Sequence, residues 1–489
     1  MNRHELVLHG GRVIDPETGT DAVLDVGIDR GRITAVSAAP LDGHEVLDVT
    51  GRVVAPGFVD LHSHCDDLPG TRLQVMDGVT TTLELEAGVH PVSAAYARAA
   101  RVGRPTNYGF SASWAAARMQ VLADVPGTGV LGDALASLGD PRWQLEATPA
   151  QVAQIIGLLE EDLADGALGI GVLVGYAPRI APDEYVAVAA AAARADRPTF
   201  THARELVEQD PDTPRDGAEE IVRAAGETGA HMHYCHVNST SVQHVDRVLS
   251  LVQRARGAGS RISTEAYPYG TGMTGIGAAF LAPELLHRRG LTPNSIQHLL
   301  SGRRMRDADE LNRMRRSHAG DLVLVHFLDE EDPAARELLS RSLLFDDTAV
   351  ASDAIEPALP GATLDPNAWP LAPGTVSHPR TAGTFGRALR TLVRETGSLT
   401  LMEAIRRCST VPADIAAGAA ADMARKGRLQ VGADADVVVF DPGTVTDNAT
   451  YASSVAPSSG FDHVIVNGQP VVRDGVLDTM SLPGRPIRS

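Results

Sequence analysis

Four histidines and one aspartate of this chain stand where their chemistry would count. His62 and His64 lie two apart at the end of the apolar run PGFVDLHSH, His202 follows PTFT, His236 follows HMHYC, and Asp353 follows TAVAS. Side chains alternate faces along a strand, so residues two apart point the same way and the imidazoles of His62 and His64 converge on one ligand. Neutral imidazole with carboxylate is the donor set that a borderline divalent ion such as Zn²⁺ selects. Among 17 histidines a single one is more often a satisfied polar residue than a ligand, whereas four with an aspartate, each at the end of a strand-like segment, form a pattern.

The elements that position these residues are legible as well. VVAPGFVDLHSH, TTTLELEA, NYGFSAS, ALGIGVLVGY, PTFTHAR, AHMHYCHV, RISTEAY and TAVASDA read as eight strands, separated by alanine-rich amphipathic helices such as 149–165 and 216–228. That alternation predicts a (β/α)₈ TIM barrel over residues 57–418, and barrels build their sites at the C-terminal ends of the strands. An arginine-rich, weakly periodic stretch of about 277–344 reads as an insertion between the last two strands, either a lid or a solvated helical excursion. Residues 1–56 and 419–489 carry short strand-like runs broken by Asn-Gly and Asp-Gly turns, and are expected to pair into a small β-sandwich domain formed from both termini.

Composition narrows what the site can use. The 489 residues are 43% hydrophobic and 21% charged, which suits one sizeable catalytic domain plus something smaller. A formal charge of −19 without a basic block offers no surface for nucleic acid. No stretch approaches the ~18 continuous apolar residues of a membrane span, and the first residues lack the apolar core of a signal peptide, so a cytoplasmic chain is expected. Cys65, Cys235 and Cys408 are odd in number and scattered, which argues for a reducing compartment, and Cys65 and Cys235, as strand neighbours of His64 and His236, point to the opposite face and read as buried, inert thiols. Of the 43 basic residues one is a lysine, Lys426, so a lysine base, Schiff base or carboxylated lysine must use that residue or be dropped. There is no strand–GxGxxG–helix unit or P-loop for an organic cofactor, the expected partner is a small-molecule amide substrate, and a homo-oligomer is compatible with the sequence.

PGFVDLHSH, THAR, CHVN and SDA, in that order, resemble the amidohydrolase superfamily of metal-dependent hydrolases, and GRLQVGADADVVVFD at 427–441 is similar to its GxxxxGxxADxxxFD segment. Within it, SHPR at 377–380 with Gly383-Thr384-Phe385, YPY at 267–269 and His202-Ala203-Arg204 look most like the N-acyl-D-amino-acid deacylases. The resemblance implies one or two divalent ions, Zn²⁺ foremost, with His62, His64 and Asp353 holding one and His202 with His236 the other. Many relatives bridge the ions with a carboxylated lysine, and the deacylases use a cysteine where this chain has Ala87. Glu84 and Glu86 share a strand face in that segment; Glu86, nearer the strand end, is the expected bridge and Glu84 the fallback. Two glutamates in a strand covered on both faces are costly without a cation beside them. Asp353 would take a proton from the attacking water and return it to the leaving nitrogen. The implied reaction is hydrolysis of the amide of an N-acyl-D-amino acid or a similar small amide. Asn238 stands where the deacylases place a lysine that grips the substrate carboxylate, which leaves arginine for that role: Arg380 and Arg204 are the candidates. Tyr267 either polarises a substrate carbonyl or packs at a strand end. Two other readings stay open, a cyclic-amide hydrolase of the hydantoinase or dihydroorotase kind and a non-catalytic barrel scaffold.

Overall fold

A barrel is built from parallel strands that are covered on both faces and therefore buried along their length. The computed structural model, which describes residues 3–489, contains eight of them. They are β1 (Phe58–Asp60), β2 (Val79–Val89), β3 (Asn107–Ser113), β4 (Ile170–Val172), β5 (Thr199–Thr201), β6 (Met232–Tyr234), β7 (Ile262–Ala266) and β8 (Thr348–Val350). Every residue in these strands is buried. The strands are hydrogen-bonded in chain order, with parallel registers such as Phe58↔Val79, Thr199↔Met232 and Met232↔Ile262. Just past β1 and β8 the short runs Ser63–His64 and Ala354–Ile355 pair in parallel, and Ala354 N–H donates to the His62 carbonyl at 3.3 Å, which brings the barrel close to closure.

The intervening helices carry their own start and stop signals. Pro149–Ala164 opens with a Thr148/Gln151 capping box and Pro at its first turn. Gly217–Thr228 is capped by Asp216, which accepts from Ala218 and Glu219 N–H, and ends at Gly229 with φ +71°. Among the described residues no helix is long and apolar enough to cross a membrane.

The chain divides into two compact units, one of Met1–Leu83, Ala99–Gly109 and Ala349–Ile487, the other of Glu84–Arg98, Phe110–Thr348 and Arg488–Ser489. In the first, both termini join one nine-stranded sheet, with Val437–Phe440 antiparallel to Val53–Pro56. Its long opening strand, His4–Asp15, is bulged between Leu8 and Gly11, and Gly10 there sits at φ +72°, a conformation open to glycine. Before the bulge this strand pairs with Gly43–Asp48 and after it with Val53–Pro56, and Leu6, Leu8, Val26, Ile28, Val437, Val439 and Ile465 share one core.

In the second unit the insertion combines short helices, the longest Ala308–Ser317, with a small sheet. Thr271–Gly275, Ile296–His298 and Leu322–His326 form a three-stranded antiparallel sheet around a core of Ile276, Phe280, Leu281, Leu286, Val323 and Val325. It therefore starts earlier than residue 277, and the helix Pro333–Leu344, expected inside it, packs instead against β7 and the helix Val245–Gly257 as a barrel helix.

Candidate metal centre

In the first unit, strand alternation and the β1–β8 closure bring three donors together. His62 Nε2 and His64 Nε2 lie 3.1 Å apart, and Asp353 Oδ1 is 3.6 Å from the first and 3.5 Å from the second. Zinc bonds of 2.0–2.1 Å in tetrahedral geometry put ligand atoms about 3.3 Å from one another. The donor set and its spacing fit a divalent ion.

A residue not singled out from the sequence holds this triad in place. Asp60, fully buried at the end of β1, accepts from His62 N–H at 3.2 Å and Ser352 N–H at 3.0 Å through Oδ1, and from Gln74 Nε2 at 2.8 Å and the Ser352 hydroxyl through Oδ2. Burial pushes its carboxyl up to about 6 against these hydrogen bonds. It thus ties the residue before Asp353 to the backbone of His62, and Asp353 itself takes φ +51°, a rare conformation for a residue with a side chain. Its signal in the sequence was an acid inside an apolar strand. Arg380, whose side chain is fully buried at the start of Arg380–Ala388, places Nη2 2.8 Å from Asp353 Oδ1.

The second unit holds its own triad. Glu86 Oε1 lies 2.7 Å from His236 Nε2 and 3.2 Å from His202 Nδ1, and all three side chains are largely buried. These ligand atoms form a group able to hold a metal ion. Ser239 Oγ sits 3.1 Å from His236 Nδ1, so the ring is held at the nitrogen opposite the one that faces Glu86. His202 is flanked by the rings of Tyr176 at 4.9 Å and Phe280 at 5.7 Å, the latter stacked, and Tyr176 Oη meets Thr274 Oγ1 at 2.7 Å. The insertion therefore walls this triad. Phe280 also lines a cavity of about 530 Å³ with Pro178, Arg179 and Leu285, large enough for a small molecule.

Glu84, the fallback, is placed differently: its Oε1 accepts from Ala87 and Gly88 N–H at 3.2 and 3.1 Å, stapling the end of β2. Two expected substrate groups are corrected. Arg204 reaches away from any ligand, with Nε and Nη2 on Glu220 at 2.9 and 3.0 Å and Nη1 on the carbonyls of Ile180 and Pro178, so its guanidinium is fully engaged. Asn238 donates to the Tyr267 carbonyl at 3.3 Å and accepts from Tyr267 N–H at 3.4 Å, so its amide clamps a backbone segment and is not presented to a substrate. Tyr267 keeps its place beside the triad, its ring 6.3 Å from that of His236. The three cysteines are buried and free of disulfides, and burial pushes the Cys65 thiol up.

A family model described as "Amidohydrolase family" matches residues 45–472. The chain belongs to the amidohydrolase family. It is 29% identical to a D-aminoacylase of Alcaligenes xylosoxydans xylosoxydans over 96% of this chain and 94% of that one. An N-acyl-D-glutamate deacylase from Bordetella bronchiseptica, solved with zinc and a phosphonate that mimics the tetrahedral intermediate, superposes with a TM-score of 0.78 at 24% identity over the whole of both chains. A D-hydantoinase gives a TM-score of 0.57 at 17% identity over 98% of this chain and 97% of that one. As an amidohydrolase this chain has no lysine to carboxylate at its candidate centre: Lys426, buried in the first unit, is held by Asp434 at 2.9 Å and Asp436 at 2.7 Å.

Proposed function

We propose that this amidohydrolase hydrolyses the amide of an N-acyl-D-amino acid or a closely similar small amide, using one or two divalent ions, zinc foremost. The observation that carries the reading is the pair of triads, each made of two imidazoles and a carboxylate at the spacing of metal ligands. His62, His64 and Asp353 would hold one ion, and Glu86, His202 and His236 the other. A divalent ion there supplies Lewis acidity, making water acidic near neutral pH and drawing electrons from the amide carbonyl. Glu86 supplies the carboxylate that many relatives take from a carboxylated lysine.

The remaining roles fall to the chain. The closest contacts of Asp353 with His62, His64 and Arg380 all fall on Oδ1, which leaves Oδ2 to take the proton of the attacking water and return it to the leaving nitrogen. Arg380 orients Asp353 and, with Arg204 committed elsewhere, is the group proposed to meet the α-carboxylate of the substrate. The relatives that match along nearly the full length support acyclic N-acyl-D-amino acids as the substrate class. Three buried free cysteines support a reducing, cytoplasmic setting.

The test is to purify the protein without chelator, measure zinc, and assay N-acetyl-D-amino acids beside their L-enantiomers and unsubstituted hydantoins. Zinc at one or two equivalents with turnover confined to the D-series is expected. Preference for the hydantoins makes it a cyclic-amide hydrolase, and a metal-free, inert protein makes it a scaffold.

A further inference from the structure

His236 presents its imidazole from an uncommon backbone position. At φ 30° and ψ 56° it lies in the left-handed region, which a residue with a Cβ occupies only when its surroundings enforce it. The enforcing group comes from β7. The His236 N–H donates to Glu265 Oε1 at 3.2 Å, and Glu265 Oε2 lies 3.0 Å from His233 Nε2. Behind it the chain continues: His233 Nδ1 is 2.8 Å from Ser263 Oγ, and Ser263 Oγ is 2.8 Å from His231 Nε2. The order follows from strand geometry, because Ser263 and Glu265 share one face of β7, His231 and His233 share one face of the β6 segment, and His233 is the register partner of Ser263. Burial pushes His231 down to about 4, so it ends the chain as a neutral ring.

Glu265 and His233 are 1% and 0% exposed, so this carboxylate is fixed at both oxygens in the barrel interior. We infer that Glu265 is a positioning residue: it locks His236 in the left-handed conformation from which Nε2 faces Glu86, and so sets the geometry of the metal site formed with His202. Ser239 fixes the rotation of the ring, and Glu265 fixes the backbone from which the ring hangs. The inference rests on the reading that Glu86, His202 and His236 hold a metal ion. It gives a buried acid a role different from that of a ligand, and the two roles respond differently to an uncharged isostere. Glutamine keeps an oxygen for the His236 N–H and can donate its amide to His233 Nε2 once that ring changes tautomer, whereas leucine fills the space and leaves the His236 N–H without an acceptor.

The experiment compares wild type, Glu265→Gln and Glu265→Leu by zinc affinity, in competition with a chromophoric chelator, and by the visible absorption of the Co²⁺-substituted protein. The expected result is a 10- to 100-fold weaker zinc affinity and an altered Co²⁺ spectrum for leucine, the size typical of groups that orient a ligand, with glutamine within about threefold of wild type and spectrally unchanged. An unchanged leucine variant overturns the inference, as does a glutamine variant as impaired as leucine, which would make the negative charge the active property. Should leucine fail to fold, His233→Phe, which removes the ring's contacts with Glu265 Oε2 and Ser263 and keeps Glu265 Oε1 for the His236 N–H, is expected to shift the Co²⁺ spectrum and weaken zinc several-fold, and an unshifted spectrum overturns the inference. Absence of metal from the wild type would instead sink the metal reading on which it rests.

Discussion

The two triads use the same donors in different company. Around Glu86 the carboxylate joins two imidazoles, one of them enclosed by Tyr176 and Phe280. Around Asp353 the carboxylate oxygen that faces His62 and His64 also faces a guanidinium 2.8 Å away. A fixed positive charge that close to a ligand oxygen opposes a divalent cation, more strongly because Arg380 is screened from water. The proposed function then divides two tasks between the triads, tight holding at Glu86, His202 and His236, and proton work with weaker holding at Asp353.

The largest effect that would break this contrast is at Glu86. Glu86→Gln removes the charge that both imidazoles face, and is expected to strip the tightly held ion and lower turnover at least about a thousandfold, the scale of a Lewis acid contributing several kcal/mol to the barrier. Metal content by elemental analysis beside steady-state rates checks it, and full occupancy with normal turnover would remove Glu86 from the centre. Asp353→Asn should cut turnover by about 10²- to 10⁴-fold, the range of a lost general base, while the ion at His202 and His236 stays bound. Loss of all metal from that variant would erase the division of labour between the triads.

Much of this was readable in the sequence because the signals were local. All eight barrel strands end in recognisable runs, and the alternation rule alone is enough to bring the imidazoles of His62 and His64 together. What was not readable depends on the direction of long side chains. Arg204 and Asn238 sit within two residues of triad histidines, yet the first turns back to Glu220 and the second to the backbone of Tyr267. Proximity in sequence says nothing about which of several buried partners a flexible polar group will choose. Asp60 and Glu265 show the converse: acids inside apolar strands announce that some partner exists, and only the fold reveals that it is the N–H of a histidine. The sheet of the insertion leaves little trace in the sequence because its strands are short and antiparallel, and a three-residue strand such as Ile296–His298 has too little length for a period to emerge.

Arg380 sharpens the contrast further. Arg380→Lys keeps the charge but loses the planar fork. If Arg380 both orients Asp353 and meets the substrate carboxylate, kcat should fall about tenfold for every substrate while KM rises roughly ten- to a hundredfold only for substrates with a free α-carboxylate, from losing ~1.5–3 kcal/mol of charged hydrogen bonding. Assays of N-acetyl-D-amino acids beside their amides separate the two effects. A kcat loss with KM unchanged throughout would confine Arg380 to Asp353.

The smallest expected effect is at Glu84, two residues from the largest. Its carboxylate oxygen accepts from the N–H groups of Ala87 and Gly88, and glutamine offers an oxygen of nearly the same shape. Glu84→Gln should therefore lower stability by only about 1 kcal/mol, the difference between charged and neutral acceptors, with metal content and turnover within about twofold of wild type. Thermal melts and elemental analysis of Glu84→Gln and Glu86→Gln, prepared side by side, make the comparison direct. Residues two apart on β2 share a face, so the two changes are alike in charge and burial and differ in what the carboxylate touches. If Glu84→Gln were the one to strip the metal, the ligand would lie one turn of the strand repeat earlier than the contacts with His202 and His236 place it, and the assignment of tight holding to Glu86 would fall.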